Sequence, residues 1–342
     1  MSSAIATRRI GNSTFPAIGF GIMGISTWYG KVDSDEERLK VLDTAYAAGC
    51  TFWDTSDVYG DSEDLIGQWF KRTGKRLEIF LCTKFGLKLP DFAADGSPEY
   101  VEEAVENNLR RLGVDYIDLY YLHRTNPDTP IEHTIGAMAK LVKAGKVKHI
   151  GLSEVSATTL RRAHAVHPIA AIQMEYSPFS LEIEDPNLAG GVLKTARELG
   201  VKIVAYSPLG RGVLTGKYRS PDDFEEGDLR KIFPRFSAEN FPKILQLCDE
   251  LKAIGGRYTI DNNPATAGQV TLAWLLAQGD DVIPIPGTKR AHYLLENFAA
   301  TRLQLSSADV QTIRDLTTHA LPGNRYPDIM MHNLFQDTAE LK

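Results

Sequence analysis

The amino-acid sequence predicts an α/β fold, a (β/α)8 TIM barrel, and two patterns support this prediction. Short apolar runs alternate along the chain with amphipathic helical patterns, as repeated βαβ units around a parallel sheet require. The apolar runs carry few polar residues, which is typical of strands buried on both faces, either in a closed barrel or in a doubly wound sheet. A chain of 342 residues, of which 43% are hydrophobic, is long enough for one such barrel. We therefore expect a single domain over residues 1–342.

The predicted strands and helices alternate in order along the chain. Strands are expected near residues 17–21, 51–54, 78–83, 116–122, 147–152, 170–174, 201–206 and 281–285. Helices are expected near residues 34–48, 61–73, 98–112, 131–145, 156–166, 188–200, 264–278 and 290–300. The barrel core then covers about residues 17–300.

Several helix ends carry recognisable sequence signals. Ser34 followed by Glu37 has the spacing of a capping box, and Ser97 precedes a proline at the first helical position. Glycines that suit a left-handed cap follow four of the helices: Gly49, Gly113, Gly145 and Gly200. These signals fix the predicted boundaries.

Three segments lie outside the repeat. Residues 1–16 are expected to form a short hairpin that closes the bottom of the barrel. Residues 208–262 form a long insertion after the seventh strand, part charged loop and part helix near 238–254, and loops of this length are often lids. The C-terminal tail, 301–342, shows no clear periodicity.

Composition excludes several classes of function. A net charge of −6 without a basic block disfavours nucleic acid or an anionic membrane as partner. The chain has no apolar stretch of about 18 residues and no apolar leader, so we expect a cytoplasmic protein that spans no membrane. Three widely spaced cysteines (Cys50, Cys82 and Cys248) fit reduced thiols and predict no metal site.

One glycine motif suggests a different cofactor fold. Gly19, Gly21 and Gly24 have the GxGxxG spacing of a Rossmann dinucleotide loop. That loop needs a helix to begin within the motif, whereas the helical pattern here begins only near Ser34. We therefore reject a Rossmann site.

Polar side chains appear where the early strands end. Asp54 ends the second predicted strand, Lys84 follows the third, His123 follows the fourth, and Tyr59 lies in the loop after the second. Each alone has an ordinary explanation as a helix cap, a packing residue or a solvated charge. In a barrel, however, all four positions open onto the C-terminal face, where active sites are built.

These residues lie in motifs that resemble those of the aldo-keto reductase family. The segment Asp54-Thr-Ser-Asp-Val-Tyr59-Gly60 resembles the motif D-x-A-x-x-Y-G, with Ser56 where alanine is usual. Thr83-Lys84 and Tyr121-Leu122-His123 resemble the strand-three and strand-four motifs, and similarity runs over about residues 8–300. The strand-five motif GLSE is similar to that of microbial and plant reductases.

The resemblance implies NADPH-dependent reduction of an aldehyde or ketone, with Tyr59 as proton donor. Tyrosine has an ordinary pKa of about 10 and needs assistance near neutral pH. A lysine ammonium about 4 Å away favours tyrosinate by roughly 4 kcal/mol at an effective dielectric of ~20, or up to ~3 pKa units before desolvation. We therefore expect Lys84 to lower the pKa of Tyr59, Asp54 to hold Lys84, and His123 to steer the carbonyl oxygen.

The resemblance also implies a set of cofactor contacts. Ser153 and Gln173 would hold the nicotinamide carboxamide and Tyr206 would stack on the ring, whereas Glu154, where asparagine is common, is a doubtful ligand. The pyrophosphate would lie against Ser207, Pro208, Leu209, Gly210, Arg211, Gly212 and Lys217. The 2′-phosphate and adenine would lie against Gly287, Thr288, Lys289 and Asn297, with further contacts from Gly21, Met23 and Tyr293. The Lys289-Arg290 pair before a helix start favours NADPH over NADH.

The sequence also allows other interpretations of these segments and of the function. The 207–212 segment also fits an ordinary Pro/Gly turn, and Lys289-Arg290 also fits solvated residues on a helix. A class I aldolase would use Lys84 to form a Schiff base, and a nicotinamide-binding redox sensor would keep the same site with little turnover. A metal-dependent barrel hydrolase is a third alternative, but the sequence shows no clustered His or Asp spacing that supports it. Trp28, Tyr29, the 220–240 loop and the tail are expected to line a pocket for an aromatic or apolar aldehyde. Barrel surface helices look alike in monomers and oligomers, so the sequence predicts no oligomeric state.

Overall fold

The structure is a computed structural model that describes residues 5–188, 190–317, 323–331 and 333–342. Its strands, in chain order, are β1 Thr7–Ile10, β2 Ser13–Pro16, β3 Phe20–Gly21, β4 Phe52–Asp54, β5 Phe80–Phe85, β6 Leu87–Lys88, β7 Ala93–Ala94, β8 Ile117–Leu122, β9 Val147–Ser153, β10 Ala171–Glu175, β11 Lys202–Tyr206, β12 Thr259–Ile260, β13 Asn263–Pro264 and β14 Val282–Pro284. Its α-helices are α1 Met23–Ser26, α2 Asp35–Ala47, α3 Ser62–Thr73, α4 Pro98–Leu112, α5 Ile131–Lys143, α6 Ala157–Val166, α7 Val192–Glu198, α8 Phe241–Gly255, α9 Ala267–Leu276, α10 Ala291–Ala299, α11 Ser307–Thr317 and α12 Asp328–Met331.

The central sheet of the described chain is an eight-stranded parallel ring, as the sequence predicts. Its strand order is β3-β4-β5-β8-β9-β10-β11-β14. Gly21 forms a parallel bridge with Gly287, and the Gly19 amide donates to the Pro284 carbonyl at 3.0 Å. These contacts join the first strand to the last, so the sheet closes into the (β/α)8 barrel.

The predicted capping residues cap their helices, but in place of the second bond of a capping box the Glu37 carboxylate accepts from the Ser34 hydroxyl at 3.4 Å. The Ser34 hydroxyl accepts from the Glu37 amide at the start of α2, and the Ser97 hydroxyl accepts from the Tyr100 amide at the start of α4. The four glycines predicted to end helices have φ values between 62° and 84°: Gly49, Gly113, Gly145 and Gly200. Short-range sequence signals therefore set these boundaries.

The N-terminal hairpin packs against the inside of the barrel, as predicted. Phe15 packs against both Phe52 and Phe80, with ring centroids 4.7 Å and 5.0 Å away, and Ile10 joins the same buried cluster. Phe52 and Phe80 are the first residues of β4 and β5. Because these residues fill the end of the barrel where strands begin, the opposite end is left for a site.

Some local elements differ from the sequence-based expectations. Helix α1 begins at Met23, so the expectation that no helix starts before Ser34 is wrong, although a parallel barrel still rules out a Rossmann loop. The tail contains α11, whose buried side chains, Asp309, Ile313 and Thr317, include a single large apolar residue and give little periodicity. The two-residue strands β6 and β7 are too short to show alternation.

The predicted insertion after the seventh strand is present. It contains several short 3-10 helices between Gly210 and Phe236, followed by α8 and the hairpin β12–β13. Among the described residues, every helix is too short or too polar to span a bilayer. Cys50, Cys82 and Cys248 are buried free thiols, and the described part of the chain holds no cluster of metal-binding side chains.

Candidate active site

The four polar residues predicted from the strand ends come together at one face of the barrel. Asp54 ends β4, Lys84 is the next-to-last residue of β5, and His123 directly follows β8. Tyr59 lies in the loop between β4 and α3. Asp54, Tyr59 and His123 line a cavity of about 640 Å³, whereas Lys84 is buried outside the lining.

Lys84 and Asp54 form a buried ion pair behind the cavity. The Lys84 ammonium donates to Asp54 Oδ1 at 2.5 Å and to the Thr55 carbonyl at 2.7 Å. The Gln173 amide donates to Asp54 Oδ2 at 2.8 Å, so both carboxylate oxygens are bound. Burial lowers the pKa of Lys84, but Asp54 and Tyr59 outweigh burial and raise it above its ordinary value. Lys84 therefore remains an ammonium.

Tyr59 retains its proton at neutral pH. Lys84 Nζ lies 5.0 Å from the centroid of the Tyr59 ring, close enough to favour tyrosinate. Burial nevertheless raises the pKa of Tyr59 by more than Lys84 lowers it. Lys84 lowers the pKa of Tyr59 as expected, but desolvation of the phenol, which that expectation left out, exceeds the attraction of Lys84 in the free protein. The phenol is a ready proton donor.

His123 is a neutral imidazole between Ser56 and the cavity. Burial, then the nearby charges of Arg124 and Lys84, holds the pKa of His123 well below its usual range. Its Nδ1 lies 3.0 Å from the hydroxyl oxygen of Ser56. Its ring meets the Tyr59 ring edge-on at 5.7 Å, and Trp28 meets Tyr59 from another side at 5.5 Å. An aromatic rim thus surrounds the proton donor.

Nearly all of the predicted cofactor contacts line the same cavity. They are Gly21, Met23, Ser153, Gln173, Tyr206, Ser207, Pro208, Leu209, Arg211, Gly212, Lys217, Gly287, Thr288, Lys289, Tyr293 and Asn297. The predicted pocket residues Trp28 and Tyr29 line it as well. Gly210 does not: it is buried, and a Cβ added there would meet Leu214 and Phe179. The contact of Gly210 with the pyrophosphate stays a prediction, and the turn directs this residue into the protein.

The loop after β11 has a backbone suited to close approach. Ser207, Gly210, Arg211 and Gly212 all have positive φ, between 48° and 89°, so the segment is more than an ordinary turn. The Arg211 guanidinium, half-buried at the cavity wall, donates to the Tyr326 hydroxyl at 2.8 Å and to the Tyr29 hydroxyl at 3.3 Å. Its charge thereby stays fixed at the cavity.

The basic residues before α10 have partners in this structure. The Lys289 ammonium donates to the backbone carbonyls of Tyr29 and Lys31, and Arg290 forms an ion pair with Asp33 at 2.7 Å. These bonds tie the segment before α10 to the loop after α1. Arg290 has a carboxylate partner, whereas Lys289 has none among the described residues. Lys289 is therefore the better candidate for binding a phosphate.

Glu154 has a role that the sequence does not indicate. Its carboxylate accepts from the Tyr206 hydroxyl at 2.9 Å and from Arg325 at 3.1 Å. It is buried, has a φ of 52°, and is absent from the cavity lining. Glu154 therefore fixes Tyr206 and the tail from behind the cavity wall.

Several residues that line the cavity are absent from the set of site residues predicted from the sequence. Arg124 lines the cavity and donates to the His123 carbonyl at 2.7 Å and to the Ser153 hydroxyl at 3.2 Å. Its position directly after a strand-end histidine was a usable signal. Arg230 and the tail residues Tyr326 and Leu334 also line the cavity. Their segments lack periodicity, so only tertiary contacts bring them there.

The comparisons with known proteins agree with this geometry. The aldo/keto reductase family model matches residues 17–318. An aldo-keto reductase of Strobilurus tenacellus is 58% identical over 98% of this chain and 99% of its own length, and an NADP(+) aldo-keto reductase of Schizosaccharomyces pombe is 53% identical over 99% of both. A solved glycerol dehydrogenase of Gluconobacter oxydans has a TM-score of 0.81 and 26% identity, covering 94% of this chain and 98% of its own. The chain belongs to the aldo-keto reductase family.

Proposed function

We propose that this protein reduces an aldehyde or ketone to the alcohol with NADPH, and that Tyr59 is the general acid. The observation that carries the proposal is the position of Tyr59 and His123 on one cavity, with the Lys84–Asp54 pair buried behind them. A proton donor and a neutral hydrogen-bonding ring thus lie where a carbonyl oxygen would be held. We also propose that residues 1–342 act as one catalytic domain.

The cavity has the chemistry that an anionic dinucleotide requires. Arg211, Lys217 and Lys289 place three cationic side chains on its lining, and α10 begins beside Gly287 and Thr288. Helix N-termini and fixed cations both favour phosphate groups. The Schizosaccharomyces pombe relative carries NADP(+) in its name, which supports NADPH over NADH.

The residues around Tyr59 would each perform one part of the reduction. When bound, the nicotinamide supplies the hydride to the carbonyl carbon. Tyr59 donates its proton to the carbonyl oxygen, and the Lys84 ammonium stabilises the tyrosinate that remains. Asp54 and the Thr55 carbonyl keep Lys84 in place. When its Nε2 carries the hydrogen, His123 donates a hydrogen bond to the oxygen, a contribution that is typically worth about 10²–10³ in kcat.

The first experiment measures NADPH consumption with a panel of aldehydes, for the native protein and for Tyr59→Phe. We expect turnover to fall about 10²–10⁴-fold in the variant, because it lacks the general acid. Quenching of protein fluorescence by NADPH would show that the variant still binds cofactor. Turnover that survives in Tyr59→Phe would contradict the assignment of the acid.

Other outcomes would favour the alternatives. NADPH binding without turnover on any aldehyde would favour a redox-sensing role. Failure to bind NADPH would reopen the aldolase, although the ion pair and burial of Lys84 disfavour a Schiff base there. Borohydride trapping of a substrate on Lys84 would detect that intermediate.

A further inference from the structure

Ser56 lies between a carboxyl group and the ring of His123. Its hydroxyl oxygen is 3.0 Å from Asp57 Oδ1 and 3.0 Å from His123 Nδ1. Ser56 is inaccessible to solvent and His123 nearly so. Asp57 does not line the cavity, whereas His123 does. The three groups therefore form a chain that leads from behind the cavity to the imidazole ring.

A serine hydroxyl has one hydrogen, so it donates to one of these neighbours at a time. With an ionised Asp57, the hydroxyl donates to the carboxylate and accepts from His123 Nδ1–H. With a protonated Asp57, the carboxyl donates to the hydroxyl, which in turn donates to His123 Nδ1. The second arrangement holds one more proton than the first. That proton binds at Nε2 of His123, the Nδ1 hydrogen passes to the Ser56 oxygen, and the Ser56 hydrogen passes to the Asp57 carboxylate.

The two arrangements give His123 different capacities at the cavity. A neutral imidazole has one N–H, and burial together with the charges of Arg124 and Lys84 keeps this ring neutral. When Nδ1 carries the hydrogen, Nε2 offers a lone pair, which repels a carbonyl oxygen. When Nδ1 accepts from Ser56, Nε2 carries the hydrogen and donates to that oxygen.

We propose that Ser56 transmits the protonation state of Asp57 to His123 and so selects the imidazole tautomer that holds the carbonyl oxygen. Ser56 and Asp57 are positioning residues in this proposal, which rests on the proposed carbonyl reduction for its catalytic consequence. The tautomer itself is a property of the free protein and is measurable without turnover.

The surroundings of Asp57 set the pH at which the change occurs. Burial raises the pKa of Asp57 to about 6, against the opposing hydrogen bonds of Ser56 and the Val58 amide and the charges of Arg111 and Lys84. Arg111 donates to the Asp57 carbonyl at 2.9 Å. The other titratable groups that interact with Asp57 are Glu63 on α3, Tyr100 on α4 and Tyr120 on β8. Below about pH 6 we expect the Nε2–H tautomer, and above it the Nδ1–H tautomer.

The direct test is NMR of protein labelled with ¹⁵N-histidine, with long-range proton–nitrogen correlations recorded at pH 5.5 and 8. His123→Gln identifies the His123 signals among the 8 histidines. We expect the protonated nitrogen to change from Nε2 to Nδ1 as the pH rises in the native protein. In Ser56→Ala and Asp57→Asn the tautomer ratio should be the same at both pH values. A native ring with one tautomer throughout would overturn the proposal.

The kinetic test follows kcat for an aldehyde over the same pH range. Because a donor to the oxyanion is worth about 10²–10³, we expect the native kcat to fall at least about tenfold from pH 5.5 to 8. Ser56→Ala and Asp57→Asn should show no such fall in kcat. Glu63→Gln, which removes the titration of the neighbouring Glu63 carboxyl, should still show it. A tautomer change without aldehyde turnover would remove the proposed function and leave the relay, whereas normal turnover without a tautomer change would remove the relay alone.

Discussion

The chemistry of single residues in this site depends on buried charges that are bound by neighbouring polar groups. Lys84 is inaccessible to solvent, and its ammonium is bound by Asp54 and by the Thr55 carbonyl. A buried charge that loses its partner is costly, often by about 3–5 kcal/mol, whereas removal of both charges is often nearly neutral. The Lys84–Asp54 pair therefore affects stability because each charge compensates the other, and it affects catalysis because Lys84 stabilises the tyrosinate. Variants can separate these two effects.

We expect Asp54→Asn to lower the free energy of unfolding by about 3 kcal/mol, because it leaves the Lys84 ammonium uncompensated. Urea denaturation measures this loss. The double variant Asp54→Asn/Lys84→Met should recover most of the stability but not the NADPH-dependent turnover. A double variant as unstable as Asp54→Asn would show that packing, and not charge, determines the loss.

At the scale of elements, Glu63 joins helices α3 and α4 to strand β5. Its Oε1 accepts from the Thr83 hydroxyl at 2.6 Å and from the Asn108 amide at 2.7 Å, and Arg111 lies 3.1 Å from Oε2. Burial raises the pKa of Glu63 to about 7, beyond what these partners offset. Unfolding exposes the carboxyl and returns its pKa to about 4.3. The junction is therefore held best when Glu63 is protonated.

The pH dependence of stability follows from that shift. Between about pH 4.3 and 7 the folded chain binds the extra proton, so the free energy of unfolding falls as the pH rises through this window. The loss from Glu63 approaches about 4 kcal/mol by pH 8, at 1.36 kcal/mol for each unit of pKa. Urea denaturation at pH 5 and 8 should show a smaller difference in Glu63→Gln than in the native protein. Equal differences in the two proteins would contradict the assignment.

At the scale of the whole molecule, the C-terminal tail completes the rim of the cavity. Arg325 is buried, 3.1 Å from Glu154, which directly follows β9, and 3.4 Å from Glu175, which ends β10. Tyr326 accepts from Arg211, and the Ala339 amide donates to the Pro127 carbonyl. The tail thus connects the loop after β8, the central strands and Arg211 at the cavity wall.

We expect Arg325→Met to lower the free energy of unfolding by about 3–5 kcal/mol and to raise the KM for NADPH. Glu154 would lose its ion pair with Arg325, and Tyr206 and Arg211 would lose a fixed neighbour. Arg219→Met, which removes an exposed ion pair with Asp249, should leave both quantities unchanged. Equal effects of the two substitutions would indicate a general loss of charge.

The sequence by itself determined the barrel, most helix boundaries and the group around Tyr59. Strand and helix periodicity, capping residues and strand-end polar residues are local signals, and a parallel barrel brings all strand ends to one face. Tertiary structure alone decided the partner of Glu154, the direction of Gly210, the pKa of Tyr59 and the place of the tail. Arg325 and Glu154 are 171 residues apart in the chain. Such contacts, and the burial that shifts a pKa, depend on how distant segments pack, which no local pattern records.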